Sequence, residues 1–234
     1  MIGYFVYGDG CSRDYGLYIS GGETFNAPER DVELVEIPGK NGNLVLDNGR
    51  FKNITVTYPA FIRHKFKSLS RVAREWLLGA SGYVRLEDSY NPEYYRLARF
   101  GGPLDFDTRV LNRSGECNLS FDCKPQRFLT EGEAFVDVAG SVKLFNPTPF
   151  PALPLIRVYG TAGRLMVGDV IIQFSEIEKY VDIDCELMNA YRGTVNCNSK
   201  ISASVFPTLP AGETGILFEG NISHVQIKPR WWTI

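Results

Sequence analysis

The 234-residue chain is poor in the side chains that most enzymes need. It has two histidines, His64 and His224, too far apart in sequence to suggest a pair. Its five cysteines, Cys11, Cys117, Cys123, Cys185 and Cys197, are odd in number and contain no Cys-x-x-Cys. That pattern points to reduced thiols in a cytosolic folding compartment rather than a disulfide framework. No clustered His, Cys and carboxylate set with zinc spacing is present. There is no Gly-x-Ser-x-Gly elbow, and Gly8-Asp9-Gly10 is not followed by the Gly-Lys-Ser/Thr of a phosphate loop. The expectation is therefore no catalytic residues, no cofactor and no metal.

Charge of one sign is also lacking. Lys and Arg number 25 against 27 Asp and Glu, and each half of the chain is close to balance. No basic half is available to grip a phosphate backbone. No apolar run reaches the roughly 20 residues that span a bilayer, and residues 1–14 lack the basic start and apolar core of a signal peptide. No membrane partner is expected.

Turn residues, aromatics and β-branched residues are plentiful. The 37–58 stretch carries Pro38-Gly39, Asn41-Gly42 and Asp47-Asn48-Gly49 between alternating runs. Asn-Gly tolerates the positive φ of hairpin turns. The spacing predicts a long antiparallel ribbon, out along Val32–Ile37 and back along Ile54–Tyr58. Such a ribbon is something for another chain to pair with or pack against. Its tip residues Pro38, Gly39, Lys40, Asn41 and Gly42 are the candidate subunit-interface residues.

One segment has helical spacing. Phe66, Leu69, Val72, Ala73, Trp76 and Leu77 share a face of a helix over about 62–78, with Gly79 placed for a left-handed C-cap. Lys67, Arg71 and Arg74 face the other way, as a solvated or subunit-pairing face or as a phosphate contact. Strands are predicted at Tyr83–Glu87, Tyr94–Arg99 and Cys117–Cys123. After about Thr130 the helical pattern disappears. Short strands recur at Ala134–Val138, Leu155–Tyr159, Arg164–Val167, Val170–Phe174, Tyr180–Asp184 and Gly215–Phe218, with turns at Asn146–Pro149, Gly160–Gly163 and Gly168-Asp169. The reading is a mainly β chain in two domains: residues 1–131, a β-sandwich-like domain with one α-helix and the long hairpin, and residues 132–234, a β-sandwich.

Two further features carry alternatives. Asp182, Asp184 and Glu186 share one strand face. They form a solvated face, or a calcium or acid/base cluster. Trp231 and Trp232 point to opposite sides of the chain, one for a core and one for a surface, a partner or a sugar.

Several landmarks in order resemble the distal tail proteins of siphophages. They are Pro38-Gly39-Lys40-Asn41-Gly42, the helix into Trp76-Leu77 followed by Tyr83–Asp88, the strand Leu119–Pro125, Leu155–Gly160 with Ile183–Glu186, and Pro229-Arg230-Trp231-Trp232. The resemblance covers essentially the whole chain. It implies a hexameric ring built by the N-terminal domain around a DNA exit channel, and a galectin-like C-terminal sandwich. The implied partners are other copies of the chain, the major tail tube protein, a tail-associated fibre or lysin protein, the tape measure protein and receptor-binding proteins, with DNA only in transit. The implied location is the virion tail tip, after assembly in the host bacterial cytoplasm. No large insertion interrupts residues 134–234, which suggests a plain hub. The competing classes are a carbohydrate-binding module and a glycosidase using the 182–186 carboxylates. The first lacks a His-x-Asn-x-Arg string.

Overall fold

The computed structural model describes residues 2–21, 25–109 and 113–234. The chain divides into two compact units, residues 1–127 with Ile234, and residues 128–233. It is mainly β, and among the described residues it has a single α-helix.

The first unit contains β1 (Phe5–Tyr7), β2 (Leu17–Ile19), β3 (Arg30–Glu36), β4 (Asn43–Phe51), β5 (Ile54–Ile62), α1 (Phe66–Gly79), β6 (Val84–Asp88), β7 (Tyr94–Phe100) and β8 (Ser114–Cys123). The main sheet runs β1-β6-β7-β8-β5-β2, all antiparallel, with a short strand at Gly10–Cys11 outside β1. Strict alternation along β5, buried at Ile54, Val56, Tyr58, Ala60 and Ile62, puts one face against the core. The core is aromatic. Phe5, Tyr7, Tyr58, Phe100 and Phe121 pack around one another, with Phe121 edge-on to Phe5 and Phe100. Edge-to-face pairs add about 0.5–1.5 kcal/mol each beyond their buried area. The Tyr7 hydroxyl accepts the Phe100 N–H at 2.9 Å, so the ring's polar end is satisfied.

Helix α1 closes this core. Phe66, Ala73 and Leu77 are buried, and Trp76 stacks on Tyr15 at 4.3 Å and on Phe5 at 5.5 Å. The helix starts at Phe66, the first residue of its apolar face and later than the predicted span of about 62–78, because Ile62 still pairs with Gly115 and Leu17 in the sheet. The chain turns between them, with Lys65 at φ 51°. Gly79 is the last helical residue and not a left-handed cap; the cap is Ala80 in extended conformation. Val72, assigned to the apolar face, is 39% exposed.

The predicted ribbon is corrected in its return arm. The β3 strand pairs with β4, from Val32↔Asp47 to Glu36↔Asn43, and not with Ile54–Tyr58. The latter segment belongs to β5, whose nine residues pair with Gly115–Cys123. The Asp47-Asn48-Gly49 signal is not a hairpin end. It forms a bulge inside β4, where the register shifts between Arg30 and Val32 and Gly49 takes φ 71°.

The second unit contains β9 (Val136–Val138), β10 (Val142–Asn146), β11 (Leu155–Val167), β12 (Val170–Phe174), β13 (Tyr180–Asp184), β14 (Asn189–Arg192) and β15 (Gly212–Lys228). The Gly160–Gly163 stretch, expected as a turn, lies inside β11. The first half of β11 pairs with β13 and the second half with β12, while β15 accompanies it throughout. Register shifts at Tyr159/Gly160 and Gly160/Gly163 mark the corner at which β11 leaves β13 and takes up β12. Side chains of both halves, including Ile156, Val158, Leu165, Val167, Ile172 and Phe174, share one core.

The corner depends on glycine. Gly160 has φ 148°, and a Cβ there would lie 2.3 Å from the Asn221 carbonyl oxygen. Gly160→Ala is expected to lower stability by about 1–3 kcal/mol. Gly215→Ala, where a Cβ meets nothing within 4 Å, is expected to change it by under about 0.5 kcal/mol. Denaturant midpoints of the two variants check this; equal midpoints would remove the corner's requirement.

Candidate assembly interface

The β3–β4 ribbon forms a two-stranded sheet of its own. Its base is anchored. The Lys52 N–H donates to the Glu29 carbonyl at 2.8 Å, the Asn26 side-chain amide donates to the Thr55 carbonyl at 2.6 Å, and that of Asn53 donates to Asp122 at 2.9 Å. Two ion pairs cross the base, Arg30–Asp47 at 2.7 Å and Arg50–Asp31 at 2.6 Å. Hydrogen bonds from Arg50 hold the Asp31 carboxyl below the usual range. Those from Arg30 and the Gly49 N–H do the same for Asp47.

Beyond the base, the ribbon is apolar on both faces. Directly opposed residues share a face. Leu34 and Val45 are opposed, 58% and 56% exposed. On the other face lie Leu44 and Leu46, 47% and 45% exposed, opposite Val35 and Glu33. Completing the burial of these four exposed side chains would contribute roughly 1 kcal/mol each. Among the described residues, the outer edges of β3 and β4 are unpaired in the sheet order, a template for strand addition. The tip residues Pro38, Gly39, Lys40, Asn41 and Gly42 are all exposed. Gly39 and Gly42 both take φ 80°, and the Lys40 N–H donates to the Ile37 carbonyl.

The other sequence candidates lie elsewhere. Asp182 and Asp184 are neither a solvated face nor a metal cluster. Both are buried, and each is gripped by two hydrogen bonds from one arginine. Arg157 reaches Asp182 at 2.6 and 2.8 Å, and Arg230 reaches Asp184 at 2.8 and 3.0 Å. Glu186 is half-exposed, 3.6 Å from Arg230. Among the described residues, no three His, Cys, Asp or Glu side chains are grouped to hold a metal. Burial pushes the thiols of Cys117, Cys123 and Cys185 up to about 12, so they are poor nucleophiles. Trp231 enters the core of the second unit. Trp232 stacks on Phe150 at 4.4 Å and donates to the Pro151 carbonyl at 2.9 Å. Lys67, Arg71 and Arg74 are exposed on α1, with Arg71 3.9 Å from Glu75. His64 and His224 fall in different units, and His224 lies 3.0 Å from Asp137.

An open groove of about 650 Å³ crosses the outer face of β5 and β8. Pro59, Phe61 and Phe106 line it with Asp105, Asp107 and Glu116. Its walls come from four separated segments, so no local pattern in the sequence marks it.

No protein-family model matches the chain, and no curated protein matches it. Solved structures do match in fold. The crystal structure of the Dit (gp 19.1) protein of phage SPP1, a paradigm of the hub adsorption apparatus in phages infecting Gram-positive bacteria, superposes with a TM-score of 0.73 at 12% identity, over 99% of both chains. A chain of the phage P2 baseplate in its activated conformation with calcium superposes with a TM-score of 0.52 at 10% identity, over 97% of both chains. The strontium form of that baseplate gives the same values. The chain has the fold of these hub and baseplate proteins.

The Asp184 clamp gives a pH dependence. Burial alone would raise the Asp184 carboxyl; hydrogen bonds from Arg230 and from the Leu187 and Glu186 N–H groups outweigh it, and the net direction is down. A depressed carboxyl stabilises the fold above its unfolded value of about 3.9, and that contribution is lost as pH falls through the folded value. Asp184→Asn is expected to flatten the acid limb of stability below about pH 4. Arg230→Ala, which strands a buried carboxylate, is expected to cost about 3 kcal/mol at neutral pH. Denaturant melts across pH read both; an unchanged acid limb in Asp184→Asn would contradict the assignment.

Proposed function

We propose that the chain is a structural hub of a long, non-contractile phage tail. Copies form a hexameric ring that joins the tail tube to the tip apparatus and surrounds the DNA exit channel. The supporting observation is the whole-length likeness to the SPP1 hub protein, which covers 99% of both chains at a TM-score of 0.73. Fold alone does not fix function. The second support is the ribbon, which leaves two apolar faces and two strand edges open on one chain.

In this reading the N-terminal unit, residues 1–131 in the sequence division, builds the ring. A ring of identical subunits uses head-to-tail contacts that close on rotation. The ribbon, with Pro38, Gly39, Lys40, Asn41 and Gly42 at its tip, is the arm that reaches the neighbouring copy. The C-terminal unit is the galectin-like outer domain. The partners are further copies of the chain, the major tail tube protein, the fibre or lysin protein and the tape measure protein. DNA passes through without being held, in keeping with a net charge of −2. The protein acts by geometry and not by turnover, at the virion tail tip after assembly in the host cytoplasm.

Particle mass and negative-stain images of the purified chain test this. Six-fold annuli are the expected result, and a monomer at every concentration would overturn ring formation by the isolated chain. Shortening Lys40–Asn43 is expected to break the ring into smaller species with the fold retained by circular dichroism. A double change, Leu34→Asp with Leu44→Asp, is expected to do the same. Stability per protomer should shift by under about 0.5 kcal/mol per site, because these side chains have little to lose in the free chain. A hexamer that survives both variants would remove the ribbon from the interface.

A further inference from the structure

The ribbon carries two Asn-Gly pairs, Asn41-Gly42 at the tip and Asn48-Gly49 in the bulge. They share a sequence and differ in what holds the glycine nitrogen. The Gly49 N–H donates to Asp47 Oδ1 at 2.8 Å. At the tip, Asn41 and Gly42 are exposed, and the Gly42 N–H makes no hydrogen bond among the described residues. Neither residue lies in a strand.

We propose that Asn41 is a self-modifying site in the free chain and that Asn48 is protected from the same reaction. The Gly42 backbone nitrogen attacks Asn41 Cγ. A bond forms between them, the bond from Cγ to Nδ2 breaks, and Nδ2 leaves as ammonia with the proton given up by Gly42. Water then opens the five-membered imide at one carbonyl or the other, leaving aspartate or isoaspartate at position 41. The reaction needs water and no other reagent. Glycine suits it because no Cβ blocks the approach to the nitrogen. At position 48 the attacking nitrogen must first give up a hydrogen bond to a carboxylate, which slows it by about tenfold or more.

The product matters for the turn. Isoaspartate routes the main chain through the former Cβ, which lengthens the loop that sets the β3–β4 register. Either product adds a negative charge beside Lys40. The tip chemistry belongs to the free protomer, where Asn41 and Gly42 are exposed; a neighbouring copy seated on the tip in the proposed ring would shield it.

The test incubates the full-length chain as protomer, kept free of annuli by dilution and, in a parallel sample, by the Leu34→Asp/Leu44→Asp double change, at mildly alkaline pH and follows both peptides by mass spectrometry with an isoaspartate-specific readout. Asn41 is expected to convert about tenfold faster than Asn48 or more. Equal rates, or an intact Asn41, would overturn the proposal. Asp47→Ala frees the Gly49 N–H and is expected to bring Asn48 up toward the Asn41 rate. If Asn48 stays slow in that variant, the hydrogen-bond explanation fails even where Asn41 converts. The chain aged by dilution alone is then concentrated and tested for annuli. Conversion at Asn41 with ring assembly unaltered would leave this site standing and count against the tip's role in the interface.

Discussion

Strand β5 commits the chain. Its nine residues pair with Gly115–Cys123 of β8 along one edge, and β2 takes Ala60–Ile62 on the other. Its alternate side chains, Ile54 to Ile62, form the floor of the aromatic core. A sheet side chain has a period of two, so slipping β5 by one residue would turn that whole set to solvent. With β5 fixed there, the preceding segment from Arg30 to Phe51 loses the partner that its own alternation fits. It pairs with itself and projects as a ribbon. The exposed ribbon is thus a consequence of the core's register and not a separate design.

That dependence explains what the sequence could and could not reveal. Alternation and turn residues are local, and they placed β5, β6, β7 and β8, and β9, β12 and β13 of the second unit, within a few residues, while β10 and β14 were not predicted and β15 was predicted only at Gly215–Phe218. The 3.6-residue spacing placed α1 on its Phe66, Ala73 and Leu77 face. Pairing is not local. Val32–Ile37 and Ile54–Tyr58 are both good strands, and nothing in either names its partner, so the return arm was assigned to the wrong segment. Asn48-Gly49 and Gly160–Gly163 mislead in the same way. Glycine with positive φ serves a turn, a bulge or a sheet corner equally well, and only the strands on either side decide. The acidic run at 182–186 was unreadable for a further reason. Its arginines lie 25 and 46 residues away.

Those two arginine clamps join distant parts of the second unit. The Arg157–Asp182 pair is a cross-strand partnership within the β11–β13 ladder. Arg230 at φ 58° sits in a left-handed kink just after β15 and grips Asp184 at the end of β13. The kink turns Trp231 into the core, while Trp232 packs outward on Phe150. A buried ion pair adds little net stability against an apolar replacement, but breaking it is costly. Its contribution is to fix one path for the chain's end. A different path would leave a carboxylate buried without its cation.

The ribbon's charges follow a gradient with the same logic. At the base Arg30, Asp31, Asp47 and Arg50 neutralise one another within the ribbon, and Lys52 lies 3.5 Å from Glu29. Toward the tip Glu33, Glu36 and Lys40 have no ion-pair partner among the described residues, and the apolar pairs between them are open to water. A segment that served only its own chain would gain from pairing charges along its whole length and from a polar outer face. Here the base is satisfied internally while the distal part is left with apolar faces and single charges. Such an arrangement lowers the cost of holding the arm out from the sheet and concentrates what remains unsatisfied where a second chain can reach it. In the proposed ring, the free energy of association comes from surface that folding of the single chain does not use.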